Sequence, residues 1–77
     1  ELANRRALIY DTRKAMQACR RQGSCGALLY IDLDNFKGLN DRYGHEIGDR
    51  YLRQVASRLT EIVGTTGMAA RIGGDEF

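Results

Sequence analysis

The sequence predicts an α/β fold in which helices cover a sheet. Apolar residues recur at helical spacing over residues 45–63, and a continuous apolar run over Gly26–Asp32 is typical of a strand buried on both faces. A second short strand is predicted at Met68–Ile72, so a strand-helix-strand connection places helices against the sheet. With 77 residues, the chain allows at most one small domain.

The first predicted element is a helix from about Asn4 to Gln22. Asn4 is a good N-cap and Gly23 follows the last periodic residue, as expected at a helix C-terminus. Its apolar positions are Leu8, Ala15, Met16 and Cys19. After the first strand, residues 34–41 (DNFKGLND) predict a short helix carrying Phe36 and Leu39, capped by Asp34 and closed by Gly44.

A second long helix is predicted from about His45 to Val63. The turn GTTG over residues 64–67 leads into the second strand, and Gly73-Gly74 begins a hairpin. We expect no partner within the chain for the last strand, and therefore one incomplete domain. The apolar stripe of the long helix consists of Leu52, Val55, Ala56, Leu59 and Ile62.

Composition excludes several classes of protein. No apolar run approaches the length of a membrane span and no secretory signal is visible, so a cytoplasmic location is predicted. Cys19 and Cys25 are too few for a disulfide framework and lack zinc-site spacing, so both are interpreted as small buried or half-buried thiols. Residues 1–21 hold six Arg or Lys against two acids, but the basic pairs lie around the helix, which favours a solvated face over nucleic-acid binding.

Carboxylates follow the end of a predicted strand in two places. Alternation sends Asp32 and Asp34 to one side, whereas Asp75 and Glu76 must point opposite ways. If the two strands are neighbours, Asp32 and Asp75 converge, and such a pair needs a cation to keep both ionised. Mg²⁺ is the predicted ion, because residues 32–43 fail as a calcium-binding EF-hand loop.

The start of the short helix is a candidate phosphate site. A helix that begins directly after a strand exposes backbone N–H groups, and Lys37 adds a mobile positive charge. Spacing alone favours an ordinary surface lysine, but together with the neighbouring acids the pattern favours phosphate binding.

Asn40, His45 and Asp49 are the next group of polar candidates. Asn and Asp can bind a purine edge, but helix periodicity alone favours capping and surface hydrogen bonding as the explanation.

These residues together resemble a known family. The stretches DLDNFKGLNDRYGHEIGDRYL and RIGGDEF closely resemble the GGDEF domain of bacterial diguanylate cyclases, and LANRR resembles the end of that family's amino-terminal motif. The resemblance covers the whole chain. It implies a palm-like sheet flanked by helices with a ferredoxin-like core, as in nucleotide cyclases and polymerases, and condensation of two GTP into cyclic di-GMP with loss of two pyrophosphates.

The resemblance also implies roles for individual residues. Asp32, the carbonyl of Leu33 and Asp75 would hold Mg²⁺, with Mn²⁺ as an alternative, and Asp75 would also act as base beside Glu76. Lys37 would stabilise charge in the transition state. Each subunit would bring one GTP, so catalysis needs a homodimer, and the parent protein would carry an upstream sensory or regulatory domain. The implied substrate-binding residues are Asn35, Phe36, Lys37, Asn40, His45, Asp49, Gly73 and Gly74.

Two departures from the family pattern limit the prediction. Where many members carry an RxxD product-inhibition motif, residues 64–67 read GTTG, so that inhibitory site is predicted to be absent. Residues 1–77 also match only the amino-terminal half of the domain, with 1–22 as lead helix and 23–77 as first strands, helices and hairpin start, so the fragment alone is expected to be inactive. The alternatives are a catalytically silent GGDEF module that binds GTP or dimerises, and an unrelated palm-fold nucleotidyl transferase.

Overall fold

Three α-helices dominate the computed structural model, which describes residues 2–77. They are α1 (Arg5–Gln22), α2 (Phe36–Tyr43) and α3 (His45–Val63), joined by extended segments. The helix pair α2–α3 is the only pair of these helices in mutual contact. Within residues 2–77, no helix combines the length and the apolar character needed to cross a bilayer.

The predicted ends of α1 are confirmed. The side-chain oxygen of Asn4 accepts a hydrogen bond from the Ala7 N–H at 2.9 Å, which satisfies one of the exposed donors of the first turn. At the other end Gly23 takes a left-handed conformation with φ 67°, and the N–H of Ser24 reaches back to the Cys19 carbonyl at 3.0 Å. Arg20 and Arg21 in the last turn interact favourably with the helix dipole.

The short helix α2 exists as predicted, but its predicted cap is wrong. Asn35, and not Asp34, precedes the helix. It adopts a left-handed conformation with φ 56° and makes no side-chain capping bond. Asparagine tolerates this conformation better than most residues, so the sharp turn out of the strand falls on Asn35. The predicted end at Gly44 is confirmed, with φ 91° and its N–H bonded to the Asn40 carbonyl at 2.7 Å.

The helices α2 and α3 pack through one aromatic pair and one close approach. The rings of Phe36 and Tyr51 stack with their centroids 6.4 Å apart. Asn40 lies against Gly48, whose absent side chain makes the approach possible. Of the predicted apolar stripe of α3, Leu52 is buried, but Ile62 is 80% exposed, which corrects its assignment to the core. With eight residues, α2 is too short to cover the last turns of the 19-residue α3.

The predicted sheet is reduced to two isolated bridges within residues 2–77. Ala3 pairs in parallel with Ala70, and Asp32 pairs antiparallel with Glu76. The prediction that the first strand is covered on both faces is wrong for this structure, since Leu28, Leu29 and Tyr30 are 63–70% exposed. A strand requires neighbours for its backbone groups, and residues 26–30 share no backbone hydrogen bond with another segment in the described part of the chain.

The last predicted strand, Met68–Ile72, does have a partner in Ala3, which pairs with Ala70 and corrects the expectation that this strand would lack one. The end of the chain is paired as well. Ile31 and Phe77 exchange two backbone hydrogen bonds, at 2.6 and 2.7 Å, and the N–H of Leu33 donates to the Asp75 carbonyl at 3.2 Å. The side chain of Phe77 is buried, together with those of Leu52 and Ala70. This small core holds the signature hairpin, residues 71–77 with the GGDEF sequence, beside the first predicted strand and α3.

Candidate functional site

The antiparallel bridge brings two carboxylates together. Because Ile31 and Phe77 form a hydrogen-bonded pair, the next position inward sets Asp32 directly opposite Glu76. Directly opposed residues of an antiparallel pair present their side chains on the same face. The sequence predicted that Asp32 would meet Asp75, but the register places Asp75 opposite Leu33, one position closer to the turn. Residues 31–33 and 75–77 are far apart in the sequence and no tight turn links them, so the amino-acid pattern alone does not determine their register.

The signature turn is tightly closed. The N–H groups of Ile72 and Gly73 both donate to the Glu76 carbonyl, at 3.0 and 3.4 Å. The side chain of Glu76 folds over Gly73 and occupies the space that a β-carbon there would need. Gly73 therefore provides room for an acid of the chain's own turn. Gly74, the second signature glycine, has open space beside it.

Tyr30 is a site neighbour that the sequence reasoning missed. The pKa of Tyr30 is raised above its ordinary value of 10.0, mainly because its hydroxyl interacts by a hydrogen bond with the Glu76 carboxylate. The charge of Asp32 adds to the effect. Tyr30 precedes Asp32 by two positions, so backbone alternation puts both side chains on one face of an extended segment. This alternation is the sequence signal that could have identified Tyr30 as a neighbour of the site.

The start of α2 lies immediately after Asp32 along the chain. It has no side-chain capping bond, so no cap satisfies its first N–H groups, and the phosphate site stays a prediction. Lys37 is exposed in its first turn. Asn35 lies over Gly38, and the Phe36 ring packs on Tyr51, so Phe36 can offer a ligand mainly its backbone.

Asn40 is the polar group of this region with an unmet hydrogen bond. Its side-chain oxygen is buried and has no hydrogen-bond partner within residues 2–77, while its side chain contacts Gly48 on α3. A buried acceptor without a partner is costly, and a bound donor would satisfy it. Asp49 follows Gly48 directly and His45 lies one turn earlier on α3, and both are exposed. The helix packing therefore brings Asn40 to the turn of α3 that carries Asp49.

A groove of about 570 Å³ runs between α3 and the hairpin. Asp49 and Arg53 of α3 line one side, and Arg71 and Phe77 of the hairpin segment line the other. Its volume falls within the range of small-molecule sites. The groove joins the predicted base-binding helix to the segment that carries the signature acids.

The donor set fits a magnesium ion held jointly with substrate phosphates. Within residues 2–77, no group of three or more His, Cys, Asp or Glu side chains forms a self-sufficient metal site. Mg²⁺ needs only one or two carboxylates when phosphates and water complete its octahedron. Asp32 and Glu76 share a face, the Leu33 carbonyl accepts no backbone hydrogen bond in the described chain, and the Glu76 carboxylate keeps further lone pairs beside its interaction with the Tyr30 hydroxyl.

Comparison with known proteins extends over the whole chain. The family model described as "Diguanylate cyclase, GGDEF domain" matches residues 1–77. The diguanylate cyclase DgcS of Shewanella oneidensis is 44% identical over 99% of this chain, which covers 26% of that protein. The bifunctional diguanylate cyclase and cyclic di-GMP phosphodiesterase MucR of Pseudomonas aeruginosa is 43% identical over the full chain, 11% of its own length.

A third relative bears a different name. The cyclic di-GMP phosphodiesterase NbdA of Pseudomonas aeruginosa is 37% identical over 99% of the chain, which covers 10% of that protein. No solved structure matches this chain. The chain thus spans about a quarter or less of the length of these relatives. Because the family model matches every residue, the chain belongs to the GGDEF domain family.

Proposed function

We propose that this chain forms part of a diguanylate cyclase that condenses two GTP into cyclic di-GMP and releases two pyrophosphates. The observation that carries the proposal is the bridge between Asp32 and Glu76, which lies beside an uncapped helix N-terminus. Acids on one face next to a phosphate-binding helix end are what phosphoryl-group chemistry requires. Membership of the GGDEF family and relatives named diguanylate cyclase support the same reaction.

The start of α2 binds and orients the triphosphate. The backbone N–H groups of Asn35 and Phe36 and the first turn of the helix hold phosphate oxygens, and Lys37 supplies a positive charge where negative charge develops. Fixing the α-phosphate of one GTP in line with the 3′-hydroxyl of another provides a large part of the rate enhancement. The exposed position of Lys37 allows its flexible side chain to follow the phosphates through the reaction.

Asn40 and Asp49 select guanine, with His45 beside them. The carboxylate of Asp49 accepts from the N1–H and exocyclic amine of the base, and the unpartnered Asn40 oxygen accepts a further donor. Gly74, which has open space beside it, lets the nucleotide approach the hairpin backbone, and Gly73 does so once the Glu76 side chain moves aside. A base that lacks these donors leaves the Asn40 oxygen unsatisfied, which is an efficient basis for rejection.

In this proposal Asp32, the Leu33 carbonyl and Asp75 would hold Mg²⁺ or Mn²⁺, with Asp75 approaching the ion from the bend of the hairpin turn and Glu76 adding a carboxylate on the face of Asp32. When bound, the ion neutralises phosphate charge and lowers the pKa of the attacking hydroxyl. Asp75 accepts the proton of that 3′-hydroxyl as general base. The pairing of residues 31–33 with 75–77 holds these acids at a fixed distance from the start of α2.

The complete site forms between two copies of the protein, each of which brings one GTP. An upstream sensory or regulatory domain controls their approach, in keeping with relatives several times longer than this chain. Product inhibition through an RxxD motif is absent, because residues 64–67 form a GTTG turn. A monomer is expected to bind GTP without cyclising it.

The direct test is incubation of the full-length protein with GTP and Mg²⁺, followed by mass spectrometry for cyclic di-GMP. The expected result is product formation that requires the metal and the dimer. A well-folded dimer that binds GTP and forms no product would refute the cyclase proposal.

A silent GGDEF module is the second candidate. NbdA, which is named for cyclic di-GMP hydrolysis alone, shares 37% identity over 99% of this chain. A GGDEF sequence of this kind therefore occurs in a protein named for the opposite reaction. In that case the full-length protein would bind GTP at Asn40 and Asp49, and GTP would alter a neighbouring activity without being consumed. The same incubation separates the two candidates.

A further inference from the structure

Arg71 makes two hydrogen bonds to the backbone of the signature turn. Its Nε donates to the Gly73 carbonyl at 3.1 Å, and its Nη2 donates to the Gly74 carbonyl at 2.7 Å. The guanidinium thus reaches forward over its own hairpin and bonds two consecutive carbonyls. A planar group with several fixed N–H donors suits this arrangement, whereas a lysine ammonium is a single point of charge.

Little else holds that part of the turn. Gly73 and Gly74 have no side chains to pack, and the backbone freedom of glycine makes such a segment costly to order. On the inner side, the N–H groups of Ile72 and Gly73 bond the Glu76 carbonyl. On the outer side, the two carbonyls are bonded by Arg71. The loop that carries Asp75 is therefore fixed from both sides, and one side depends on a single side chain.

Arg71 also lies in the groove opposite Asp49 and Arg53. A cation in a nucleotide groove invites the interpretation that it binds phosphate. The two donors it already uses, however, are directed to the turn of its own chain and are charge-assisted bonds to carbonyl oxygen. Its contacts therefore favour a role in shaping the turn over a role in binding nucleotide.

We propose that Arg71 is a positioning residue, whose guanidinium fixes the Gly73-Gly74 turn so that Asp75 and Glu76 are presented in register with Asp32. The catalytic consequence rests on the proposed cyclase function, but the effect on the turn does not. Because reacting groups misplaced by about 1 Å can cost about 100-fold in rate, loss of Arg71 lowers kcat. GTP affinity is largely retained, because Asn40, Asp49 and the start of α2 lie on other elements.

The test compares Arg71→Ala with Arg53→Ala in the full-length protein. Arg53 lines the same groove, so its replacement removes an equal charge without touching the turn. Hydrogen exchange is measured without nucleotide on peptides that cover residues 71–77. The exchange is expected to become about tenfold faster in Arg71→Ala, which corresponds to a loss of roughly 1.4 kcal/mol of local protection. Arg53→Ala is expected to leave that exchange unchanged.

Turnover provides the second readout. Arg71→Ala is expected to lower kcat by about 10- to 100-fold, with GTP binding close to that of the wild type and with partial rescue by added guanidinium at non-denaturing concentrations. Rescue should be absent in Arg53→Ala. If Arg71→Ala does not fold, Arg71→Lys keeps the charge but loses the paired donors, and should show the same pattern in weaker form.

The outcomes separate the two proposals. Wild-type protein without cyclic di-GMP would refute the cyclase function, while faster exchange in Arg71→Ala would still establish the structural effect on the turn. Unchanged exchange in a folded Arg71 variant would overturn the positioning role. A GTP dissociation constant that rises by the same factor as the loss of kcat/KM would also overturn it, because that result indicates direct contact with substrate.

Discussion

The helix pair α2–α3 and the hairpin segment 71–77 are held in place by different forces. Side-chain packing joins the helices, through the stack of Phe36 on Tyr51 and the fit of Asn40 against Gly48. The hairpin, in which only the Phe77 side chain is buried, is held mainly by backbone hydrogen bonds to residues 31–33 and the two bonds from Arg71. The residues proposed to select the base lie on the helix pair α2–α3. The carboxylates Asp75 and Glu76, proposed for catalysis, lie on the hairpin segment. Binding and turnover should therefore respond to different substitutions.

The largest effect is expected from Asp75→Ala in the hairpin. Loss of a general base typically costs about 10²- to 10⁴-fold in rate, and loss of a metal-binding carboxylate adds to it, so cyclic di-GMP production should fall to background. Turnover is measured with GTP and Mg²⁺ in the full-length protein. Asp11→Ala is the matched control, because Asp11 is an exposed acid on α1. Wild-type activity in Asp75→Ala would contradict the assignment of this acid.

A change within the helix pair should weaken binding and stability together. In Gly48→Ala the new β-carbon would collide with the Asn40 side chain. Overpacking of this kind costs about 1–3 kcal/mol of unfolding free energy, and displacement of Asn40 should also weaken GTP binding. Urea denaturation and GTP titration measure the two effects.

Gly26→Ala is the matched control for that substitution. The nearest atom to its new β-carbon, apart from its chain neighbours, is the Cys19 Sγ at 4.0 Å, an ordinary contact. Gly48→Ala with unchanged stability and unchanged GTP affinity would show that the close approach of Asn40 to α3 has no energetic importance.

A substitution outside both regions should alter stability alone. Asn4→Ala removes the acceptor for the Ala7 N–H and should cost about 1 kcal/mol of unfolding free energy. Asn4→Asp preserves an acceptor and should retain most of the stability. Denaturation curves measure the loss, and kcat per folded molecule should stay constant. A selective loss of kcat in Asn4→Ala would mean that α1 influences the site more directly than its contacts indicate.

The smallest effect concerns the titration of Tyr30 beside the hairpin. Glu76 raises the pKa of Tyr30, so Glu76→Gln should bring that pKa back toward 10.0. Because the raised pKa belongs to the folded state, the associated stability is present below the ordinary pKa and is lost as the pH rises through the raised value. The phenolate absorbance of wild type minus Tyr30→Phe reports the titration. An unchanged pKa of Tyr30 in Glu76→Gln would show that Glu76 does not cause the shift.

The helices could be predicted closely because their signals are local. Asn4 and Gly23 mark the ends of α1, and the predicted range of α3 matches His45–Val63. The failures involve positions that depend on distant neighbours. Leu28 and Leu29 read as a buried strand, yet they are exposed because strand burial needs pairing partners. Ile62 fits the apolar stripe of α3, but the short α2 does not reach it.

The site was predictable in composition but not in register. The acids and the helix start follow from their positions after predicted strands, whereas the pairing of Asp32 with Glu76 joins segments far apart in the sequence and has no local signal. The roles assigned to the site residues, and the extent of the domain beyond residues 1–77, stay predictions. Arg71 carried no signal in the sequence, since its importance lies in two bonds to backbone carbonyls.

The most direct test of this division of labour measures equilibrium GTP binding and turnover side by side in Asp75→Ala and Asp49→Asn, both in the full-length protein. Asp75→Ala should bind GTP and fail to turn it over. Asp49→Asn should keep its kcat and lose about tenfold or more in GTP affinity, the effect of losing a hydrogen bond to a charged group. Parallel losses of binding and turnover in both variants would contradict the separation between the helix pair and the hairpin.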